Sequence, residues 1–276
     1  MEWWGQTWLN EGFATFVSYL GSEHVDPSPT LHPWERFYVR EMQRVMKYDE
    51  NTNMHWAMTD ETTDRGDIER KFGSFTYQKG GSVIRMMEAI LSRPTFTRGL
   101  TGYLQDMAYN AATEDDLFSH LEAAAMEDGK WPATNRAFSD VMKSWTNQAG
   151  IPLVTATLMN SKLTLSQTWL VSDGAASEPR RWHIPITMTS VEQTPALGWN
   201  NTEPMAWIWQ DQEQTEVDVD GLWPSGVPFV LNIQGTGYYR VNYDEENWTN
   251  LAQALQSNKD WIHPLNRAQI ICKLLK

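Results

Sequence analysis

One carboxylate, Glu11, stands inside the run WWGQTWLNEGFATF (residues 3–16), among five aromatic residues and a leucine, and Gly12 follows it at once. Leu9, Phe13, Phe16 and Leu20 recur at helical spacing and predict the buried stripe of an amphipathic helix. At about one hundred degrees per residue, Glu11 falls on the opposite side with Thr15 and Ser18. An acid in the first turn of a helix is favoured by the helix dipole alone. What Glu11 faces is therefore the question its setting raises. Other metal-binding side chains give no cluster: His24, His32, His55, His120, His183 and His263 are scattered, and none pairs with another at ligand spacing. The single Cys272 excludes an internal disulfide framework and a metal site built from cysteines.

The elements that must position such groups divide the 276 residues by hydrophobic period. Residues 1–148 read as helical. Thr113 and Asp116 form a predicted capping box ahead of Leu117, Phe118, Leu121 and Ala125, with Gly129 placed to end that helix. Val83, Met86, Met87, Ile90 and Leu91 mark another helix, stopped before Pro94. The segment from Asp26 to Pro33, rich in proline, reads as a surface loop. After WTNQAGIP the period changes to two. Six segments rich in Val, Thr, Ile and Trp follow, separated by Gly, Pro, Asp and Asn turns, and predict a β-sandwich. Beyond Asp244 the helical period returns. The last helix runs to Lys276 without a stop signal, from which a continuing helical domain is expected. The fold class is thus α+β and multidomain: helical over 1–148, all-β over 149–244, helical again over 245–276.

A net charge of −13, from 35 acids and 22 bases, argues against nucleic acid or an anionic membrane surface as the main partner. No run approaches the ~18 apolar residues of a membrane span. The first residues have neither the basic start nor the apolar core of a signal peptide. The 15 tryptophans read as core filling between helices and sheets.

The run WWGQTWLNEGFATFVSYLG resembles the segment of the aminopeptidase N family of zinc metallopeptidases that follows a His-Glu-x-x-His helix, and FTYQKGGSVIRMME resembles that family's Thr-Tyr-x-Lys-Gly stretch. The likeness continues in family order through FTRGLTGYLQDMAYNAATEDDLFSHLEAA, WTNQAGIP, GTGYYRVNYD and PLNRAQII. It implies that Glu11 is the third ligand of one zinc ion and that Tyr77 donates a hydrogen bond to the tetrahedral intermediate. It further implies peptide substrates, a thermolysin-like catalytic domain of which 1–148 is the later helical part, a sandwich domain, and the opening of a C-terminal helical domain. Lys79 reads as a structural or ion-pairing residue. A cell-surface or extracellular location follows from the resemblance and from acceptor triplets at Asn200 and Asn247, although cytosolic relatives share these blocks. The resemblance leaves membrane anchoring possible through parts that lie outside this sequence.

The chemistry fits these roles. A catalytic zinc takes three protein ligands and keeps an open position, and a phenol titrating near pH ~10 stays neutral while it stabilises an oxyanion. Two family motifs are absent from the sequence. There is no His-Glu-x-x-His, whose second histidine belongs roughly nineteen positions before the glutamate, and no Gly-Ala-Met-Glu-Asn strand edge to bind a free amine. The expectation is an aminopeptidase fragment, inactive on its own and poor at binding zinc, with Glu11 and Tyr77 facing one cleft. A catalytically inactive paralogue that holds a peptide or protein is the second reading. A purely structural sandwich with helical flanks is the third, and it leaves both motifs unexplained.

Overall fold

The structure is a computed structural model that describes residues 3–26, 31–131, 136–172, 179–192, 197–222, 224 and 226–274. Most of the predicted loop, residues 27–30, lies outside the described residues, as do the last two residues of the chain. Two compact units are present, one of residues 1–150 with 171–173, the other of residues 151–170 with 174–276.

The first unit is helical: α1 (Trp8–Val25), α2 (Pro33–Phe37), α3 (Gln43–Asp49), α4 (Arg65–Lys71), α5 (Gly80–Leu91), α6 (Arg93–Asp106), α7 (Glu114–Glu127) and α8 (Phe138–Thr146). Local chemistry sets several ends. The Thr113–Asp116 capping box is formed, and Gly129 takes a φ of 63° just beyond α7. Ser92 breaks the chain between α5 and α6, and Pro94 sits in the first turn of α6, where its missing N–H leaves no bond unmade. Two wide, π-helical turns interrupt the pattern, Tyr38–Met42 between α2 and α3 and Phe75–Lys79 leading into α5. The core is α5 with both faces covered: Val83, Ile84, Met86, Met87 and Leu91 are buried. On α1 the buried stripe is Trp8, Leu9, Gly12 and Phe16. Phe13 and Leu20, expected in the core, are only half-buried.

The second unit carries eight strands among the described residues: β1 (Pro152–Met159), β2 (Lys162–Trp169), β3 (Ile184–Ile186), β4 (Met188–Ser190), β5 (Ala206–Ile208), β6 (Gln214–Asp218), β7 (Phe229–Leu231) and β8 (Arg240–Tyr243). A four-stranded sheet has the order β6-β2-β1-β8, with β1–β8 parallel and its other pairs antiparallel. Two short antiparallel pairs, β3–β5 and β4–β7, complete the layer set. In β1 and β2 buried Val154, Ala156, Leu163 and Leu165 alternate with partly exposed neighbours, so one face of this sheet is covered, whereas β3, β4 and β7 are buried throughout. Two helices follow, α9 (Glu245–Ser257), capped by the Asp244 carboxylate, and α10 (Pro264–Leu274). The layout is α+β, helical first, sheets in the middle and helices last.

Candidate functional site

Glycine brings the two candidate residues together. A Cβ placed on Gly12 would lie 2.9 Å from the carbonyl carbon of Gly80, and one on Gly81 would lie 3.1 Å from Thr15 Cγ2. Only glycines let α1 and the start of α5 approach this closely. Glu11 precedes the first of these contacts and Tyr77, in the wide turn, precedes the second helix by three residues. Their side chains meet. The Tyr77 phenol is pushed above its ordinary value, first by loss of solvent and then by the neighbouring Glu11 carboxylate. A phenol whose value is raised stays protonated at neutral pH and keeps its O–H to donate.

A cavity of about 600 Å³ opens beside Tyr77, which lines it, whereas Glu11 is not among its lining residues. Thr15, Ser18 and Ser22 from the polar face of α1 form one wall, and their hydroxyls donate back to the helix carbonyls at 2.8, 2.7 and 2.9 Å. Tyr77, Gln78, Gly73 and Ser74 form a second wall. The region from Leu31 through the wide turn at Tyr38–Met42 to Arg44 adds Arg36, Glu41 and Arg44. Glu41 accepts a 2.6 Å bond from the Tyr19 hydroxyl, and burial together with that bond raises the Tyr19 phenol strongly. Thr15 and Ser18 are on the side of α1 that the helical period assigned to Glu11. Tyr19, Arg36, Glu41 and Arg44 carried no motif, and because they gather through the π-helical turns no regular spacing marked them.

Lys79 points the other way, into the unit. Its ammonium is 2.7 Å from the Asp49 carboxylate, with both side chains fully buried, and donates to the Gly150 carbonyl at 3.3 Å. The Gly150 N–H donates to Asp49 at 2.8 Å, so the pair is satisfied on both sides. The histidines have separate duties: His120 bonds to the Asp106 carboxylate and the Asp116 carbonyl, and His183 accepts from the Gln210 N–H. Among the described residues there is no group of three His, Cys, Asp or Glu side chains that could hold a metal ion. The donor set around Glu11 is one carboxylate and a phenol, which does not fit a catalytic zinc centre by itself.

With the helices, the two blocks and their cavity in place, the chain compares directly with known proteins. The profile of the peptidase family M1 domain matches residues 1–145. The chain belongs to peptidase family M1. The profile of the ERAP1-like C-terminal domain matches residues 228–276. Over 98% of its length this M1 chain is 33% identical to Aminopeptidase N of Homo sapiens and to Aminopeptidase Ey of Gallus gallus, and equally so to Membrane alanyl aminopeptidase of Manduca sexta. It spans only 27% of each of those proteins.

One sequence expectation is corrected here. Asn247 is buried, its amide oxygen accepts from the Phe229 N–H at 3.0 Å and its amide nitrogen donates to the Phe229 carbonyl at 3.0 Å. A glycan on that nitrogen is incompatible with the burial of the side chain. Asn200 is exposed, which leaves it as the acceptor triplet the fold permits.

Proposed function

We propose that this M1 chain contributes Glu11 and Tyr77 to a zinc-dependent aminopeptidase site that removes N-terminal residues from peptides. The observation that supports the reading is that Tyr77 lines the cavity and that the nearby Glu11 carboxylate acts on its phenol, with each residue in a block typical of the family. Tyr77 has one proton to give. With a peptide bound, that proton would be donated in a hydrogen bond to the oxyanion forming on the scissile carbonyl, a bond made chiefly in the transition state. Glu11 would serve as one of the ligands of the zinc that the family employs. The other two are not among these residues, so the chain alone is expected to be inactive. On this reading residues 1–148 are the later part of a catalytic domain, 149–244 a sandwich domain and 245–276 the opening of a helical domain. By analogy with the relative named a membrane aminopeptidase, we also propose a cell-surface or extracellular location, with Asn200 as the glycosylated position.

A second reading is an inactive paralogue that retains peptides in the cavity. The test is hydrolysis of aminoacyl-anilides by the product of the full transcript, compared with its Tyr77→Phe and Glu11→Ala forms. We expect Tyr77→Phe to lower kcat by about 10²- to 10³-fold with little change in substrate binding, and Glu11→Ala to lose zinc. Full kcat in the Tyr77→Phe protein would remove Tyr77 from the mechanism. A full product without turnover but with peptide affinity would select the second reading.

A further inference from the structure

The four-stranded sheet ends on β6, whose partner among the described residues is β2 alone. The opposite edge is closed off: on β8, Arg240, Val241 and Tyr243 are buried. No residue of β6 is buried, and Gln214, Glu216 and Asp218 are exposed. The pairing fixes which backbone groups face outward. Lys162 stands opposite Asp218, and one step along the same ladder the Val219 N–H donates to the Ser161 carbonyl at 2.9 Å. Antiparallel pairs alternate between bonded and non-bonded, so Thr215 and Val217 turn their N–H and C=O towards β2, and Gln214, Glu216 and Asp218 turn theirs away from it. Among the described residues no backbone group outside β2 bonds to these three. Natural sheets close such an edge with proline, a bulge or lysine, and β6 has none of them.

The charge along this edge has one sign. Residues 211–220, DQEQTEVDVD, hold five acids and no base. Glu213 already binds Arg181 at 2.6 Å. Glu216 has Lys162 of β2 at 3.8 Å, with both side chains more than half exposed, where solvent screens most of the attraction. Asp218 accepts the Asp220 N–H at 3.0 Å and forms no ion pair among the described residues. Open backbone and unspent carboxylate therefore coincide at Glu216 and Asp218. A second copy of the strand would set acid against acid, and like charges directly opposite are unfavourable. An extended segment with Lys or Arg at alternate positions is attracted twice, by its side chains and by its backbone. The residues between its bases would lie beside half-buried Thr215 and Val217, a setting that suits β-branched side chains.

We propose that the β6 edge is a docking strand for an extended basic segment of a partner protein, which joins the sheet as a further strand with Lys or Arg opposite Glu216 and Asp218. Backbone bonds supply the pairing, and the two acids choose the partner and its register, since a slip of one residue would carry the bases to the other face. Docking here requires neither a metal nor turnover.

The experiment is a calorimetric titration of the 276-residue chain with capped hexapeptides that repeat Lys-Val, Thr-Val or Glu-Val, and with a Lys-Val peptide methylated on the backbone nitrogen of each lysine. The Lys-Val peptide should bind about fivefold or more tightly than the Thr-Val peptide, the scale of two cross-strand charge pairs, and the Glu-Val peptide should bind worst. Backbone methylation leaves the charge and removes the N–H groups that would face β6, so that probe should lose most of the affinity. Glu216→Gln and Asp218→Asn together should erase the ranking. Both positions are exposed, and the amide oxygen introduced at 218 can still accept the Asp220 N–H, so an unchanged circular dichroism spectrum is expected. Hydrogen exchange at the Glu216 and Asp218 amides should slow when the Lys-Val peptide is added. Binding of no probe, equal binding of the Lys-Val and Glu-Val peptides, or a ranking that survives in the doubly substituted chain would overturn the proposal. Undiminished binding of the methylated probe would overturn it too, by showing charge attraction without strand pairing. Self-association of the chain that protects the same two amides without peptide would assign the edge to a second copy and equally overturn it.

Discussion

Gly12 and Gly80 meet backbone to backbone: a Cβ on Gly80 would stand 3.0 Å from the Gly12 Cα, and one on Gly12 would stand 2.9 Å from the Gly80 carbonyl carbon. The crossing of α1 and α5 is set at this point, and with it the distance between Glu11 and Tyr77. Gly12→Ala should therefore destabilise the chain by about 1–3 kcal/mol, because the clash is with backbone that cannot turn aside. Gly21→Ala, in the same helix with nothing within 4 Å of the added carbon, should instead stabilise it by about 0.5–1 kcal/mol. Urea denaturation of the two variants reads the contrast. Two shifts of the same sign would mean that helix propensity, and not the crossing, dominates.

The raised Tyr77 phenol has a pH consequence. A group whose folded value lies above its unfolded value near pH ~10 supports the fold fully below that pH, and the support is lost as pH rises through the folded value. The Glu11→Gln chain should titrate Tyr77 closer to the ordinary tyrosine range, because the charge that opposes phenolate formation is gone. Ultraviolet difference titration, with Tyr77→Phe to assign the signal, measures the shift. An unchanged midpoint would mean that loss of solvent alone accounts for the raised value.

The Lys79–Asp49 pair is buried on both sides, so removing one partner leaves a charge without its counter-ion. Lys79→Met should cost about 3–5 kcal/mol. Adding Asp49→Leu should recover much of that, though not all, since the Gly150 N–H then loses its acceptor. Denaturation midpoints of the single and double variants test this; additive losses would contradict it.

Asn247 serves both backbone groups of Phe229 at the start of β7. Asn247→Ala should cost about 1–3 kcal/mol. Peptide mapping of chain secreted from eukaryotic cells should find any glycan on Asn200 and none on Asn247. A glycan on Asn247 in folded protein would contradict the burial described above.

Much of this architecture is readable from local chemistry. Thr113 with Asp116, Gly129 and Pro94 set helix ends through their own side chains or backbone, so sequence alone places them. The change from helical to alternating period is likewise legible in WTNQAGIP, and the first strand begins there, at Pro152. What escaped depends on partners distant in sequence. The segment 182–190 reads as one strand, yet it changes partner at Thr187, whose carbonyl and hydroxyl are taken by the N–H groups of Asn232 and Ile233. The segment 229–244 is split because Asn232 and Gln234 adopt positive φ, which no alternation of side chains reveals. At the site, Glu11 and Tyr77 stand out in the sequence through their flanking residues. Arg36, Glu41 and Arg44 do not, since they lie on α2, a five-residue wide turn and α3, and no single helical period runs through all three.

The wide turn at Phe75–Lys79 also has a genetic aspect. A π-helical turn amounts to one residue more than an α-helix needs for the same advance, and each residue of an α-helix accounts for about one hundred degrees of rotation. Losing a single codon there would let the helix close up, turning Tyr77 away from Glu11 while leaving α5 and its buried side chains in register. The fold would survive that deletion far better than the pairing would. A one-residue gap in this turn is therefore the mark by which a lineage that has abandoned the Glu11–Tyr77 contact could be recognised from its gene alone.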